Sequence, residues 1–314
     1  MERKIDTTIS IVTWNSSATI SKCLESIFLQ TNNNYEITVF DNASTDETLK
    51  KISSNPAVRC IRSKVNTGYS AAHNEVIRRA NGSFILCMNP DVVLTPTFLE
   101  KLRNCADSHP EAASFGGKVL RLENLEERPQ TAIIDATGLV LLRSFRSINR
   151  GEGDVDTLQY SKDEIVFGHS GAVVLLRKSS LDRVKIMGEY LDEDFFAYKE
   201  DVDLAWRFQK AGFTSFYVHD AIAYHLRKAR RGKRRDIPLG VRQLSYKNHL
   251  LMLVKNLTFS DLISKSPWLL AYEFGKFLTL LFSDVRTLFS LQTFMRQLPT
   301  AWAKRKAMSR LRTP

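Results

Sequence analysis

At 314 residues with 43% hydrophobic content, the chain can bury one large domain with an appendage, or two domains. Its four cysteines (Cys23, Cys60, Cys87, Cys105) form no CxxC pair and no zinc spacing, which excludes a disulfide framework and points to reduced thiols. The net charge of +11 is unevenly divided: residues 221–314 hold 19 Lys/Arg against 4 Asp/Glu, a net of +15, leaving 26 against 30, a net of −4, ahead of them. A mildly acidic body joined to a basic tail implies chemistry in front and docking to something anionic behind.

MERKIDTT opens charged and polar, unlike a signal peptide, so the expected location is cytoplasmic. TISIVTW then reads as a strand, SATISKCLESIFLQT as a helix, YEITVFDN as a strand and STDETLKKI as a capped amphipathic helix. VRCIRS, YSAAHNEVIRRA and SFILCMN continue the alternation as strand, helix, strand. This pattern predicts βαβ units and a mainly parallel α/β sheet, with ligands bound beyond the carboxyl ends of the strands. Residues 121–164 read as a loop region with short strands. IVFGHSGAVVLLRKSSL reads as strand then helix start, DEDFFAYKEDVDLAWRFQKAGF as mostly helical, and TSFYVHDAIAYHLR as a strand before a basic helical end.

The polar residues at the strand ends are therefore the candidates. Asp41 ends a strand and sits too early to cap the next helix, so its carboxylate is free to accept the imide N–H of a base; turn chemistry is the competing reading. In NTGYSAAHN, Gly68 permits a close backbone approach, and Asn66 and Asn74 offer donors and acceptors. FILCMN is apolar on both faces, so it belongs inside the sheet and delivers Asp91 to the crevice, where a carboxylate can hold Mg²⁺ or Mn²⁺ against a diphosphate. In EDFFAYKEDVDLAWR, Asp203 and Arg207 are spaced to pair on a helix. Glu200 and Asp201 complement the helix start, and in a partly apolar pocket one of them can act as a general base. His225 ends AIAYH, either as a structural histidine or as a metal or phosphate contact.

TISIVTWN, EITVFDNASTDET, VNTGYSAAHN, FILCMNPDVVL, FGHSGAVVLLRKS and FFAYKEDVDLAWRFQKAGF, followed by AIAYH, occur in the order found in family-2 glycosyltransferases of the GT-A fold, which the chain resembles over about residues 5–230. The resemblance implies inverting transfer of a sugar from a nucleotide diphosphate donor with Mg²⁺ or Mn²⁺. It places Thr13, Asn15, Asp41, Asn66, Gly68 and Asn74 around the donor nucleotide, and Ser170 and Gly171 near the sugars. Asn89 and Asp91 fall on the Asp-x-Asp metal motif with His225 beside the diphosphate, and Asp201 matches the general base with Glu200 next to it. Asn89 departs from the motif. The NPDV form resembles the rhamnosyltransferases that use dTDP-rhamnose, which favours a deoxysugar donor and implies a weaker metal site. The reading requires Asp91 and Asp201 to open onto a common cleft.

The implied organisation is a GT-A domain over residues 1–226 and a basic helical region over 227–314. LRKARRGKRR has no interleaved aromatic residues, which argues against nucleic acid. PWLLAYEFGKFLTLLFSDVR carries Glu273, Lys276, Ser283 and Arg286 near one helical face, which fits an amphipathic helix on an anionic membrane better than a spanning one. The expected partners are a dTDP- or UDP-linked donor, a glycan or lipid-linked acceptor and the cytoplasmic membrane face. Rival readings are a non-catalytic nucleotide-sugar-binding relative and a sugar-1-phosphate nucleotidyltransferase, although TWNSSAT lacks the latter's Gly-rich, Lys-bearing loop.

Overall fold

The structure is a computed structural model that describes residues 5–124, 131–226 and 237–309. The first elements alternate as the periodicity predicts: β1 (Thr7–Thr13), α1 (Ile20–Phe28), β2 (Tyr35–Asp41), α2 (Thr48–Ser53), β3 (Val58–Arg62), α3 (Gly68–Arg78) and β4 (Phe84–Met88). Their strands lie in the order β3-β2-β1-β4, all parallel. Every residue of β4 is buried, so FILCM does run through the sheet interior.

Beyond β4 come β5 (Val92–Leu94), α4 (Phe98–Ser108), β6 (Ala112–Leu122), β7 (Ile134–Ala136), β8 (Leu139–Leu141), β9 (Ser147–Asn149) and β10 (Glu164–Val166). They are followed by β11 (Val173–Arg177), α5 (Lys178–Val184), α6 (Glu200–Lys210) and β12 (Thr214–Leu226). This half of the sheet is mixed. β11 runs antiparallel to β4 with Val173 opposite Met88, so the residues entering β11 lie over those leaving β4. β12 pairs antiparallel with β5, setting His225 opposite Val92 and so beside Asp91. Two reversals of direction thus bring distant segments to the carboxyl end of one buried strand.

α6 begins at Glu200, as the sequence reading placed the helix start; before it a short 3₁₀ turn (Glu193–Phe195) leads into Phe196, Tyr198 and Lys199, all at positive φ. One segment departs from the sequence expectation. The long strand β6 has no counterpart in the sequence reading because Gly116-Gly117 interrupts its pattern. A Cβ on Gly117 would lie 1.9 Å from the Ala221 carbonyl oxygen, where the irregular middle of β12 crosses, so the glycine is required by that approach.

The chain ends in α7 (Leu239–Asn256), α8 (Phe259–Ser283), α9 (Val285–Leu288) and α10 (Ser290–Met308). The single amphipathic helix expected through Arg286 breaks at Asp284, whose carboxylate receives Arg242 at 2.5 Å and the Thr287 hydroxyl at 2.6 Å. The polarity of α8 is also turned inward. Glu273 meets His249 Nε2 at 2.6 Å, and the Lys276 ammonium lies over the Tyr246 and Tyr272 rings, while Ile263, Leu270, Phe274 and Phe282 are exposed. Among the described residues no helix is long and apolar enough to cross a membrane. The basic run of residues 226–235 lies, after Leu226, outside the described residues. The terminal helices are no loose appendage: Leu251, Met252, Leu269 and Ala301 share a hydrophobic core with Phe145, Phe195, Val202 and Trp206.

Candidate active site

The site forms where β1, β2 and β4 end. At β1 and β2 the Thr13 hydroxyl donates to Asp41 Oδ1 at 3.1 Å, and Ser44 N donates to Asp41 Oδ2 at 3.0 Å. Asp41 is buried and holds the turn after β2; it does lie too early to cap α2, which begins at Thr48 behind Glu47. Asn15, at φ 51°, accepts from Thr45 N at 2.8 Å and ties the β1 loop to the β2 loop.

The next loop is organised by its own chain. Asn66 Oδ1 accepts from Gly68 N, and Asn42 Nδ2 donates to Gly68 O, each at 2.9 Å. Gly68 stands at φ 85°, and a Cβ there would come 2.5 Å from the Phe196 carbonyl oxygen. The close approach that Gly68 permits is thus made to the Phe196 backbone. Tyr69 N donates to the same oxygen at 2.6 Å. Asn74 is corrected. Its amide is fully buried and spent on Leu191 N and O and on Glu193 Oε1, so it staples α3 to the 190s loop instead of facing the donor.

At the end of β4, Asn89 N donates to Ala172 O at 2.8 Å. One residue earlier, Gly171 N donates to Asp201 Oδ2 at 3.1 Å, and Gly171 O accepts the Tyr69 hydroxyl at 2.7 Å. Ser170 Oγ accepts from Ala172 N at 3.4 Å, shaping the same turn. The segments carrying Asp91 and Asp201 are thus joined through 171–172 at one end of the sheet. A partly open cavity beside Asp201 is not the common cleft the sequence reading required, because it leaves out Asp91. At about 30 Å³ it holds a water or two. Tyr69, His169, Gly171, Glu200 and Asp201 line it; Asp91 does not.

The two adjacent acids differ. Asp201 is half-buried and also accepts from Val202 N at 2.8 Å. Glu200 is buried against the cavity, and its Oε2 has no hydrogen-bond partner. Burial, then the Asp201 charge, pushes the Glu200 carboxyl up to about 8, so it holds a proton near neutrality. Asp201 is the more exposed of the two acids.

His225 Nε2 lies 3.3 Å from Asp91 Oδ1, and its Nδ1 lies 2.9 Å from Asp135 Oδ2. Burial disfavours the imidazolium, but hydrogen bonds to Asp135 and Asp91 outweigh it and lift the ring to about 9. Asp135, unforeseen in the sequence, sits on three-residue β7 and also meets Arg121 Nε at 3.3 Å. A divalent ion fits this corner in part. Asp91 Oδ1 is a buried oxygen with the His225 ring nitrogen 3.3 Å away. Yet no group of three His, Cys, Asp or Glu side chains among the described residues could hold an ion. An ion here would take most of its ligands from a bound diphosphate.

Residues 8–184 match the model of glycosyl transferase family 2, more than half the chain. The chain is 27% identical to the N-acetylglucosaminyl-diphospho-decaprenol L-rhamnosyltransferase of Mycobacterium tuberculosis (strain CDC 1551 / Oshkosh), covering 68% of this chain and 74% of the relative. It is 24% identical to the putative glycosyltransferase EpsE of Bacillus subtilis (strain 168), covering 67% and 68%. Among solved structures, GalNAc-T7 with UDP, GalNAc and Mn²⁺ superposes with a TM-score of 0.62 at 13% identity, over 81% of this chain and 48% of that one. At that identity the likeness bears on the fold, which is GT-A.

Proposed function

The chain belongs to glycosyltransferase family 2, and from that premise we propose that it transfers a deoxyhexose such as rhamnose, with inversion, from a dTDP- or UDP-linked donor to a hydroxyl of a glycan or lipid-linked acceptor. The similarity to a rhamnosyltransferase whose name specifies a decaprenol-linked acceptor supports both the sugar and the acceptor class. Synthesis of a cell-surface polysaccharide is the setting this implies.

The observation that carries the reading is the pairing of Asp201 with Gly171 where β4 ends and β11 begins. The more exposed carboxylate, fixed by a backbone N–H and backed by a neutral Glu200, is suited to take the proton of an acceptor hydroxyl as its oxygen attacks the anomeric carbon. The donor nucleotide would lie along Thr13, Asn15, Asp41, Asn66 and Gly68, with Ser170-Gly171 near the sugar. Asp91 and His225, with the Asn89 amide, would hold Mg²⁺ or Mn²⁺. When bound, the ion would supply positive charge to the departing diphosphate. His225 would serve that ion only as a neutral imidazole, its Nδ1 held by Asp135; protonated, it would instead set its own positive charge beside the diphosphate.

The outer face of α8 supports docking on the cytoplasmic membrane surface. Ile263, Leu270, Phe274, Phe277 and Leu281 recur at helical spacing and are all exposed, on a region of net charge +15. A transfer assay over a panel of dTDP- and UDP-sugars tests the reading. Release of nucleotide coupled to acceptor glycosylation supports it, and binding without turnover would assign the chain to non-catalytic recognition.

A further inference from the structure

The 192–199 loop, which delivers Asp201 to the site, is strained. Phe196, Tyr198 and Lys199 all have positive φ, a region non-glycine residues occupy only when their surroundings enforce it. Besides α3, whose Asn74 and Arg78 each hold Glu193 at 2.9 Å, the terminal helices supply groups that bind the loop's backbone. On α7, Asn248 Nδ2 lies 2.8 Å from Phe195 O, 2.8 Å from Ala197 O and 2.7 Å from Tyr198 O. One turn-neighbour away, Lys247 Nζ donates to Asp194 O at 2.7 Å and to Gln297 Oε1 of α10 at 2.8 Å.

Below these contacts lies a buried charge network. Lys304 of α10 reaches Glu189 at 2.8 Å, Asp192 at 2.5 Å and Asp194 at 2.9 Å. Lys255 of α7 bonds Asp192, and reaches Asp203 at 2.9 Å. Asp203 in turn holds Arg207 at 3.0 Å on α6. Burial works against the Asp192 charge, but Lys255 and Lys304 outweigh it and keep the carboxyl well below its ordinary range. The carbonyl of Phe196, fixed in this way, receives Tyr69 N, and the Tyr69 hydroxyl reaches Gly171, the partner of Asp201.

We infer that α7 and α10 belong to the catalytic apparatus: Asn248, Lys247 and Lys304 are positioning residues that clamp the 192–199 loop and so fix Asp201. The role assigned to Asp201 rests on the proposed function, whereas the clamp itself is open to measurement without turnover.

Removing one charge from the buried network can unfold the chain, so the test uses the two α7 residues that bind carbonyls. Asn248→Leu removes the amide at similar volume; Lys247→Met is milder, and Lys247→Arg restores a donor. Hydrogen exchange is followed at residues 193–203 and, as a control on folding, at β4, alongside kcat and nucleotide affinity for the full chain. The clamp predicts exchange at 193–203 at least tenfold faster with β4 protection kept. It also predicts kcat lower by tenfold or more, nucleotide affinity within about threefold, and partial recovery in Lys247→Arg. Folded variants with wild-type exchange at 193–203 and wild-type kcat would overturn it. If Asn248→Leu also loses β4 protection, Lys247→Met decides by the same criteria. A wild-type chain that transfers no sugar would remove the proposed function, while the exchange data would still confirm or refute the clamp.

Discussion

The backbone N–H of Gly171 donates to Asp201 Oδ2 at 3.1 Å, tying the start of α6 to the turn that enters β11. Because β11 is antiparallel to β4, that turn overlies Asn89, and a general-base candidate and a metal-motif segment share one end of the sheet.

Glu200 and Asp201 are expected to separate in their pH behaviour. The Glu200 carboxyl is raised in the folded chain from 4.5 to about 8. The folded state therefore binds its proton more tightly than the unfolded state. That stabilisation is complete below about pH 4.5 and is lost as pH rises through 8. Glu200→Gln, which mimics the protonated form, should match wild-type stability near pH 4 and exceed it above pH 8. Denaturant midpoints at the two pH values measure this; parallel pH profiles for the two proteins would refute the assignment.

Gly68→Ala should cost about 1–3 kcal/mol, since it combines a positive φ with a Cβ facing the Phe196 carbonyl oxygen at 2.5 Å. Nucleotide affinity should fall as well, because the loop carrying Asn66 must move. Equilibrium unfolding and nucleotide titration report the two effects separately. A variant as stable as wild type would show that the approach relaxes freely.

Asp135→Asn removes the carboxylate that orients His225 from behind at 2.9 Å. Loss of such a supporting carboxylate typically costs about 10–100-fold in metal affinity or activity. The Mn²⁺ concentration for half-maximal transfer should rise by about tenfold, with the His225 ring titrating lower by NMR. An unchanged ring titration would exclude the supporting role.

Phe274→Glu combined with Phe282→Glu places charge on the exposed face of α8 without touching its inward contacts. Thermal stability should change little, and flotation with anionic vesicles should be lost. Full retention of flotation would move the docking surface elsewhere on the molecule.

The parallel half of the fold was legible because strand and helix periods alternate cleanly from TISIVTW to SFILCMN. The Asp203–Arg207 pair was legible for the same reason: i,i+4 spacing is local, and the pair forms at 3.0 Å. What stayed hidden depends on distant partners. Asp135 stands on a three-residue strand with no pattern to mark it, and it acquires a role only when β12 brings His225 alongside. Tyr69 contacts Gly171 over a separation of 102 residues, and Lys304 contacts Asp194 over 110. Asn74 misled the sequence reading because an amide beside a donor loop looks alike whether it faces a ligand or staples a neighbouring loop. The left-handed backbone at Phe196, Tyr198 and Lys199 gave no local signal, and the carbonyls around it are bound by Asn248 of α7, far along the chain.

The central claim, that Asp201 deprotonates the acceptor, is tested most directly by Asp201→Asn in a transfer assay with a dTDP-deoxyhexose, paired with nucleotide titration. Asparagine keeps the shape and can still meet Gly171 through its oxygen, but it cannot take up a proton. The account predicts a fall in kcat of about 10²–10⁴-fold with nucleotide affinity within about threefold of wild type. A variant that transfers sugar at close to the wild-type rate would contradict it.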